Sequence, residues 1–483
     1  MNFRTVAHVV AALLVVMALL MGFCGLVSFL HDEPATWAFG WSTAGTLAVA
    51  VPLWLATRNR KELSRRDGLG VVAFGWLFAG IAGAAPYVLS GVIASPVAAL
   101  FETISGMTTT GATVIPILEG VPQGILLWRA ITQFIGGMGV LILVVAILPF
   151  AGAGGMQLFR AEMPGPTKDR IEPRVASTAK MLWGVYVLLT VLLIFLLRLG
   201  GVDWMDAACH AFATMATGGF STHTTSVSAF QSAYVEGLLT VFMLLAAMNF
   251  ALHYRALRGE FSAWWKDSEA RFFLGVFLGC SLLGAVELHQ ARAAAGLGWG
   301  GAFREAAFTC SSLMTTTGFT TGDYEQWPVL LKAMLLLLML LGGCSGSTAG
   351  AIKVSRIQVM LKVSVREAHL FMQPQAVIPV RLGRKFMADG ILLSILSFVA
   401  LYLLVALAGV LAMLPFTPDI QTAVSAVIAC MGNVGPGFSA VGPTLNYSAL
   451  PDAGNAILTL LMLVGRLELY TVLVLLMPAF WRK

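Results

Sequence analysis

Residues 6–30 contain no Asp, Glu, Lys or Arg, and apolar runs of comparable length recur along the whole chain. A helix that crosses a bilayer needs about 20 such residues, because hydrocarbon offers no partner for backbone N–H and C=O groups. The charged fraction is 11% against a hydrophobic fraction of 58%, and the mean hydropathy is +0.84. A soluble domain carries about one quarter charged residues, so the composition predicts an all-α integral membrane protein with many spans. The runs are long and lack strict alternation, which excludes a transmembrane barrel. The first run is longer than the apolar core of a signal peptide and no small-residue cleavage pattern follows it, so it is expected to be a retained span.

The net charge of +6 acquires meaning from its placement. Roughly four-fifths of the Lys and Arg fall at Arg4, 58–66, 160–180, 255–271, 353–385 and Arg482-Lys483. Under the positive-inside rule alternate loops are therefore cytoplasmic. The remaining loops carry acids, among them Asp32, Glu33, Glu119, Asp203, Asp323, Glu325, Asp419 and Asp452, which are either solvated surface or a weak attractor for cations. The six cysteines stand singly in apolar stretches without a CxxC pair, as buried small hydrophobes do.

Both termini are expected on the cytoplasmic side, with ten transmembrane helices between them. An N-terminal two-helix hairpin (1–67) precedes four units, 68–155, 156–258, 259–370 and 371–483. Each unit repeats a span, a shorter semi-apolar piece, a Gly/Thr-type stretch and a second span. The stretches are TTGAT (109–113), ATGGF (216–220), TTGFT (316–320) and NVGPG (433–437), with Gly111, Gly218, Gly318 and Gly435 as their central glycines. The preceding pieces, such as 96–107 and 418–431, are too short to cross a bilayer and read as re-entrant helices. Repetition at this period signals a tandem array of one structural element. Non-helical backbone at membrane depth is tolerated where it lines a wet cavity or is buried in protein, so four copies predict one shared, pseudo-fourfold pore. Loop carbonyls can replace the water of a monovalent cation, and glycine reaches the dihedrals that turn them inward. The stretches hold no carboxylate, which disfavours a divalent ion.

TTTGAT at 108–113, MATGGFST at 215–222, MTTTGFTTGDY at 314–324 and GNVGPGFSAVGP at 432–443 resemble the filter segments of the Trk/Ktr/HKT superfamily of potassium transporters. The resemblance covers nearly the whole chain, and its two opening spans are similar to Trk-type rather than Ktr-type membrane subunits. It implies potassium uptake across the bacterial inner membrane, with a potassium-binding filter at Thr109, Thr110, Gly111, Ala216, Thr217, Gly218, Thr316, Thr317, Gly318, Asn433, Val434 and Gly435. Glycine at the central position of all four stretches implies potassium rather than sodium preference. The fourth stretch departs from the pattern, with Val434 in place of Thr and Pro436 after the glycine. The resemblance further implies a homodimer and a cytosolic TrkA-type partner. Any nucleotide (NAD, ATP or ADP) is then expected on that partner, and this chain is expected to hold no cofactor beyond transported K⁺.

GGCSGSTAG at 342–350 interrupts the span that begins near Pro328, and so many small, poor helix formers should unwind it. In the superfamily the matching loop is an intramembrane gate, which implies that role for Gly342, Gly343, Cys344, Ser345, Gly346, Ser347, Thr348, Ala349 and Gly350. Arg466 and Glu468 lie deep in the last apolar run, where ionisable residues are costly and functional by default. Two positions apart on one helix they would not face each other. Arg466 is therefore expected to find another partner. In the superfamily an arginine on the corresponding helix holds the gate loop, and Arg466 matches it, which implies that it donates to carbonyls of the 342–350 loop and places a positive barrier in the pore.

Weaker signals carry less. GLGWGG at 296–301 follows no strand and is not read as a nucleotide site. His210 and His223 beside the second stretch are expected to be hydrogen-bonded, and Glu102, Asp206 and Glu305 to anchor or cap the short helices or attract cations. Within transport, ion-coupled (Na⁺ or H⁺) symport is the alternative to channel-like permeation. A membrane-embedded enzyme would need a paired acid and base or a metal cluster, and the sequence offers no HExxH, GxSxG or His/Cys cluster.

Overall fold

The computed structural model describes residues 1–57, 64–139, 175–383 and 385–481. The basic segment 160–180 largely, the 58–66 segment in part, Arg384 and Arg482-Lys483 lie outside the described residues. The regular structure described is helical, apart from a two-residue antiparallel pairing of Arg381–Leu382 with Lys385–Phe386 and a single parallel bridge between Leu341 and Ile352.

The opening run forms a helix, Phe3–Leu30, that packs along Ala35–Ala56 and Arg65–Leu89. His8 Nδ1 lies 3.1 Å from the Trp54 carbonyl and the imidazole stacks on the Trp54 ring, tying the hairpin together. Ser64 and Asp67 form a reciprocal cap at the start of Arg65–Leu89, which satisfies donors that a helix end leaves open. Further long apolar helices are Val175–Leu199, Ser268–Arg292 and Asp389–Met413. Their outer faces expose Phe195, Leu282 and Leu404 among other large apolar side chains. Lipid is as apolar as these side chains, so such exposure costs nothing in a bilayer.

Four shorter helices, Pro96–Met107, Trp204–Met215, Trp299–Met314 and Ile420–Met431, each end in methionine at the start of a Gly/Thr-type stretch. Three have 12 residues, about 18 Å of helix, which falls well short of a bilayer. Ser95, Asp203 and Asp419 cap the first, second and fourth through their side chains. The halves of these helices nearest the stretches are buried almost without exception, so the non-helical backbone that follows is enclosed by protein.

After each stretch comes a second helix: Gln123–Gly137, Ala233–Ala246, Val329–Leu340 and Asp452–Arg466. All four stop beside the ends of the short helices. A Cβ on Gly136 would meet the Met107 carbonyl and one on Gly465 the Met431 carbonyl; Met339 O abuts Gly432, and the Thr348 hydroxyl joins Met215 O to Ala246 O. Here the structure departs from the expectation of continuous spans broken only at 342–350. Six described helices are long and apolar enough to cross, or eight if two bent pairs each count as one. Ala233–Ala246 turns by 103° into Phe250–Leu257, and Asp452–Arg466 by 115° into the helix from Glu468. Asn249 caps the new helix of the first pair, and Glu468 adopts a left-handed φ of 53° in the second. Arg466 and Glu468 thus belong to different helices.

Candidate functional site

The four stretches share one backbone. Thr109, Thr217, Thr316 and Asn433 have φ of 54°, 54°, 57° and 55°, and two residues later Gly111, Gly219, Gly318 and Gly435 have 81°, 75°, 83° and 104°. In each, the residue between them donates its N–H to a carbonyl of the preceding short helix at 2.8 Å: Thr110 to Ser105, Gly218 to Ala213, Thr317 to Ser312 and Val434 to Ala429. This pairing meets carbonyls that the helix end leaves open. The shared geometry corrects the register of the second stretch. The residue that matches Gly111, Gly318 and Gly435 is Gly219, and Gly218 matches Thr110, Thr317 and Val434. The ATGGF motif offers two glycines, and the letters alone did not say which one takes the left-handed turn.

The stretches touch in cyclic order. A Cβ on Gly111 would come within 2.1 Å of Gly218 O, on Gly219 within 1.9 Å of Thr317 O, on Gly318 within 2.0 Å of Val434 O, and on Gly435 within 2.6 Å of Thr110 O. Any side chain there would collide with a neighbouring carbonyl, and each positive φ already favours glycine. The four glycines also line one cavity of about 80 Å³, together with Arg129 and His223.

Polar side chains behind the stretches tie neighbours together. Glu102 is fully buried and accepts from Arg129 Nε (2.8 Å), the Thr113 hydroxyl (2.9 Å) and Val114 N–H (2.9 Å). Arg129 also donates to Ser221 O at 2.9 Å and lies over the Phe220 ring. Val227 N–H donates to Thr320 O, the Tyr324 hydroxyl to Gly437 O, and the Tyr447 N–H and hydroxyl to Thr113 O and Gly435 O. His210 meets the Ser221 hydroxyl at 3.0 Å, and His223 meets Asp206 at 3.1 Å. Glu305 accepts from Arg292 and Trp327. Glu102, Asp206 and Glu305 therefore anchor the short helices through their side chains, and the caps come from Ser95, Asp203 and Asp419.

The 342–350 loop lies directly against this array. Gly350 N–H donates to the Thr316 hydroxyl at 2.7 Å, and a Cβ on Gly350 would meet Gly432 O. The loop closes on itself through Gly342 N–H to Ile352 O (2.9 Å), and Cys344 N–H reaches Ala247 O at 2.8 Å. Arg466 donates through Nη1 to Thr348 O at 2.8 Å and through Nη2 to Gly136 O (2.7 Å) and Gly137 O (3.0 Å). Lys353 reaches Ala349 O. On another side Glu269 accepts from Ser345 N–H (2.7 Å), the Ser345 hydroxyl (3.1 Å) and Ser355 N–H (3.0 Å). Glu468 pairs with Arg356 at 2.8 Å. A cavity of about 110 Å³ is lined by Gly346, Ser347, Gly350, Lys353, Arg466 and Glu468 among others.

Arg129, Gln133, Glu269 and Lys353 were not singled out from the sequence. Arg129 and Gln133 stand in the otherwise apolar run LLWRAITQFIGG, and the cost of polar groups at membrane depth was the signal that marks them.

The family model for TrkH, described as a cation transport protein, matches residues 38–483. The Trk system potassium uptake protein TrkH of Escherichia coli K12 is 39% identical over 100% of both chains. TrkG of the same strain is 35% identical over 99% of both, and TrkI of Halomonas elongata is 33% identical over 99% of this chain and 97% of its own. The crystal structure of the potassium transporter TrkH from Vibrio parahaemolyticus superposes with a TM-score of 0.89 at 35% identity, covering 100% of both chains.

Proposed function

The chain belongs to the TrkH family of cation transport proteins, and from that membership we propose that it carries potassium into the cell through one pore walled by the four Gly/Thr-type stretches. It is a transporter, not an enzyme, as its relatives are subunits of potassium uptake systems. The observation that carries the pore is the cyclic contact of Gly111, Gly219, Gly318 and Gly435 with the carbonyls of the next stretch. Four walls related by pseudo-fourfold symmetry present backbone oxygens to an ion that has shed its water. Each short helix points its C-terminal end at the same place, where its partial negative charge favours a cation. The two bent pairs bring the crossings among the described residues to eight. With the second helices of the first and third units, Gln123–Gly137 and Val329–Leu340, as the remaining two, the reading has ten crossings, with both termini cytoplasmic in the inner membrane.

Permeation is channel-like in this reading, and the 342–350 loop is the gate. Arg466 holds the loop by the Thr348 carbonyl while fixing it to Gly136 and Gly137. Its charge also repels cations at the same level. A homodimer and a nucleotide-binding TrkA-type partner complete the uptake system; this chain's residues supply the path and the gate. Expression in a potassium-uptake-deficient bacterium tests the reading. Growth at limiting potassium is expected, and loss of that growth on deleting residues 342–350 would not be: removal of the gate should leave uptake intact or raise it.

A further inference from the structure

Three of the four residues that precede the left-handed glycines carry branched side chains, Thr110, Thr317 and Val434, whereas the fourth is Gly218. In the first and third walls the hydroxyl of this residue meets a hydroxyl of its own wall, Thr108 with Thr110 at 2.7 Å and Thr315 with Thr317 at 2.7 Å, and the Thr110 hydroxyl also accepts from Asn433 Nδ2 of the fourth wall at 2.9 Å. In the second wall the matching pair is Ala216 and Gly218, which carry no hydroxyl at all. The vacated space is filled from outside the wall. A Cβ on Gly218 would lie 2.4 to 2.7 Å from the amide atoms of Gln133, a fully buried residue on the helix Gln123–Gly137 of the preceding unit. Gln133 Nε2 donates to Gly218 O at 2.6 Å, and its Oε1 accepts from Phe220 N–H at 3.1 Å. Gly218 O is the carbonyl that Gly111 packs against. The amide therefore grips the second wall on both sides of Gly219.

We propose that Gln133 is a positioning residue of the filter, which replaces the missing threonine brace of the second wall and so sets the discrimination between potassium and sodium. The proposal rests on the pore reading above. A carbonyl ring selects by holding its oxygens at a fixed spacing and field strength, and an unbraced wall would let one oxygen follow a smaller ion inward. Glycine at 218 is then required by Gln133 rather than by the backbone, since Gly218 is not among the residues with positive φ.

The test uses purified full-length protein in lipid vesicles, with K⁺ and Na⁺ fluxes measured separately. Gln133→Ala is expected to lower the K⁺/Na⁺ flux ratio about tenfold, the scale of one lost buried hydrogen bond. Gln133→Met keeps the volume, loses both hydrogen bonds, and should match the alanine variant, so it decides the matter if the alanine variant does not fold. Adding Ala216→Thr and Gly218→Thr to Gln133→Ala restores the threonine brace and should restore the ratio. A wild-type ratio in the Gln133 variants, or a triple variant no better than Gln133→Ala, would overturn the proposal. Absence of K⁺ flux from the unsubstituted protein would instead overturn the pore reading.

Discussion

The guanidinium of Arg466 donates at 2.8 Å to the carbonyl of Thr348, joining the helix Asp452–Arg466 to the loop that interrupts the third unit. Its other nitrogen bonds Gly136 and Gly137 of the first unit, so one side chain pins the loop against two helices. Arg466→Ala is expected to raise K⁺ flux in vesicles several-fold, and Arg466→Lys, which keeps the charge without the fork, to fall between that variant and wild type. Equal flux in all three folded proteins would remove Arg466 from the gate.

Glu269 holds the same loop from the side of the third unit, through two donors of Ser345 and the N–H of Ser355. Glu269→Ala leaves those donors in a mostly buried place without an acceptor. It should cost about 2 kcal/mol of stability, read as a lower melting temperature in detergent, and should raise basal flux. Glu269→Gln retains an acceptor and should do both to a smaller degree.

The Glu102–Arg129 pair behind the first wall is buried on both sides. Removing one partner strands the other charge, so Arg129→Met is expected to cost about 3–5 kcal/mol. The double variant Glu102→Gln/Arg129→Met should be more stable than Arg129→Met alone. Thermal unfolding in detergent orders the three proteins, and a double variant below the single would contradict the pairing.

Asp419, which lies outside the long apolar helices, caps the fourth short helix and accepts from Thr422 N–H and the Thr422 and Ser439 hydroxyls. Chiefly through the Thr422 N–H, its carboxyl is held below the ordinary carboxylate range. A carboxyl lowered by folding stabilises above its unfolded value and loses that contribution as pH falls through the lowered one. The melting difference between wild type and Asp419→Asn should therefore be constant from about pH 5 to about pH 8 and shrink below about pH 4.

Much of this was legible in the sequence, for reasons that differ by residue. Hydropathy alone gives long helices such as Phe3–Leu30, and the left-handed glycines were marked by recurrence of MTTTG and its kin. The cost of a charge at membrane depth requires partners for Arg466, and the superfamily resemblance is what pointed to the loop as one of them. Three features were not legible. The break at Leu467 lies inside a run that is apolar throughout apart from Arg466 and Glu468. The turn at Asn249 rests on one capping side chain. The left-handed turn at Gly219 and not Gly218 follows the backbone of the other three stretches, which a motif with two adjacent glycines does not spell out, and the contact of Gly218 with Gln133, some 85 residues away, leaves no local trace.

In this reading potassium is selected by the backbone carbonyls that the four walls present beside their left-handed glycines. Gly318 bears most directly on it, since a Cβ there would lie 2.0 Å from Val434 O and so would distort the oxygen ring. The decisive measurement is the K⁺/Na⁺ flux ratio of the reconstituted protein beside Gly318→Ser. The ratio is expected to be well above one for the unsubstituted chain and to collapse toward one in the variant, with Na⁺ flux rising. An unchanged ratio in a folded Gly318→Ser protein would contradict the account.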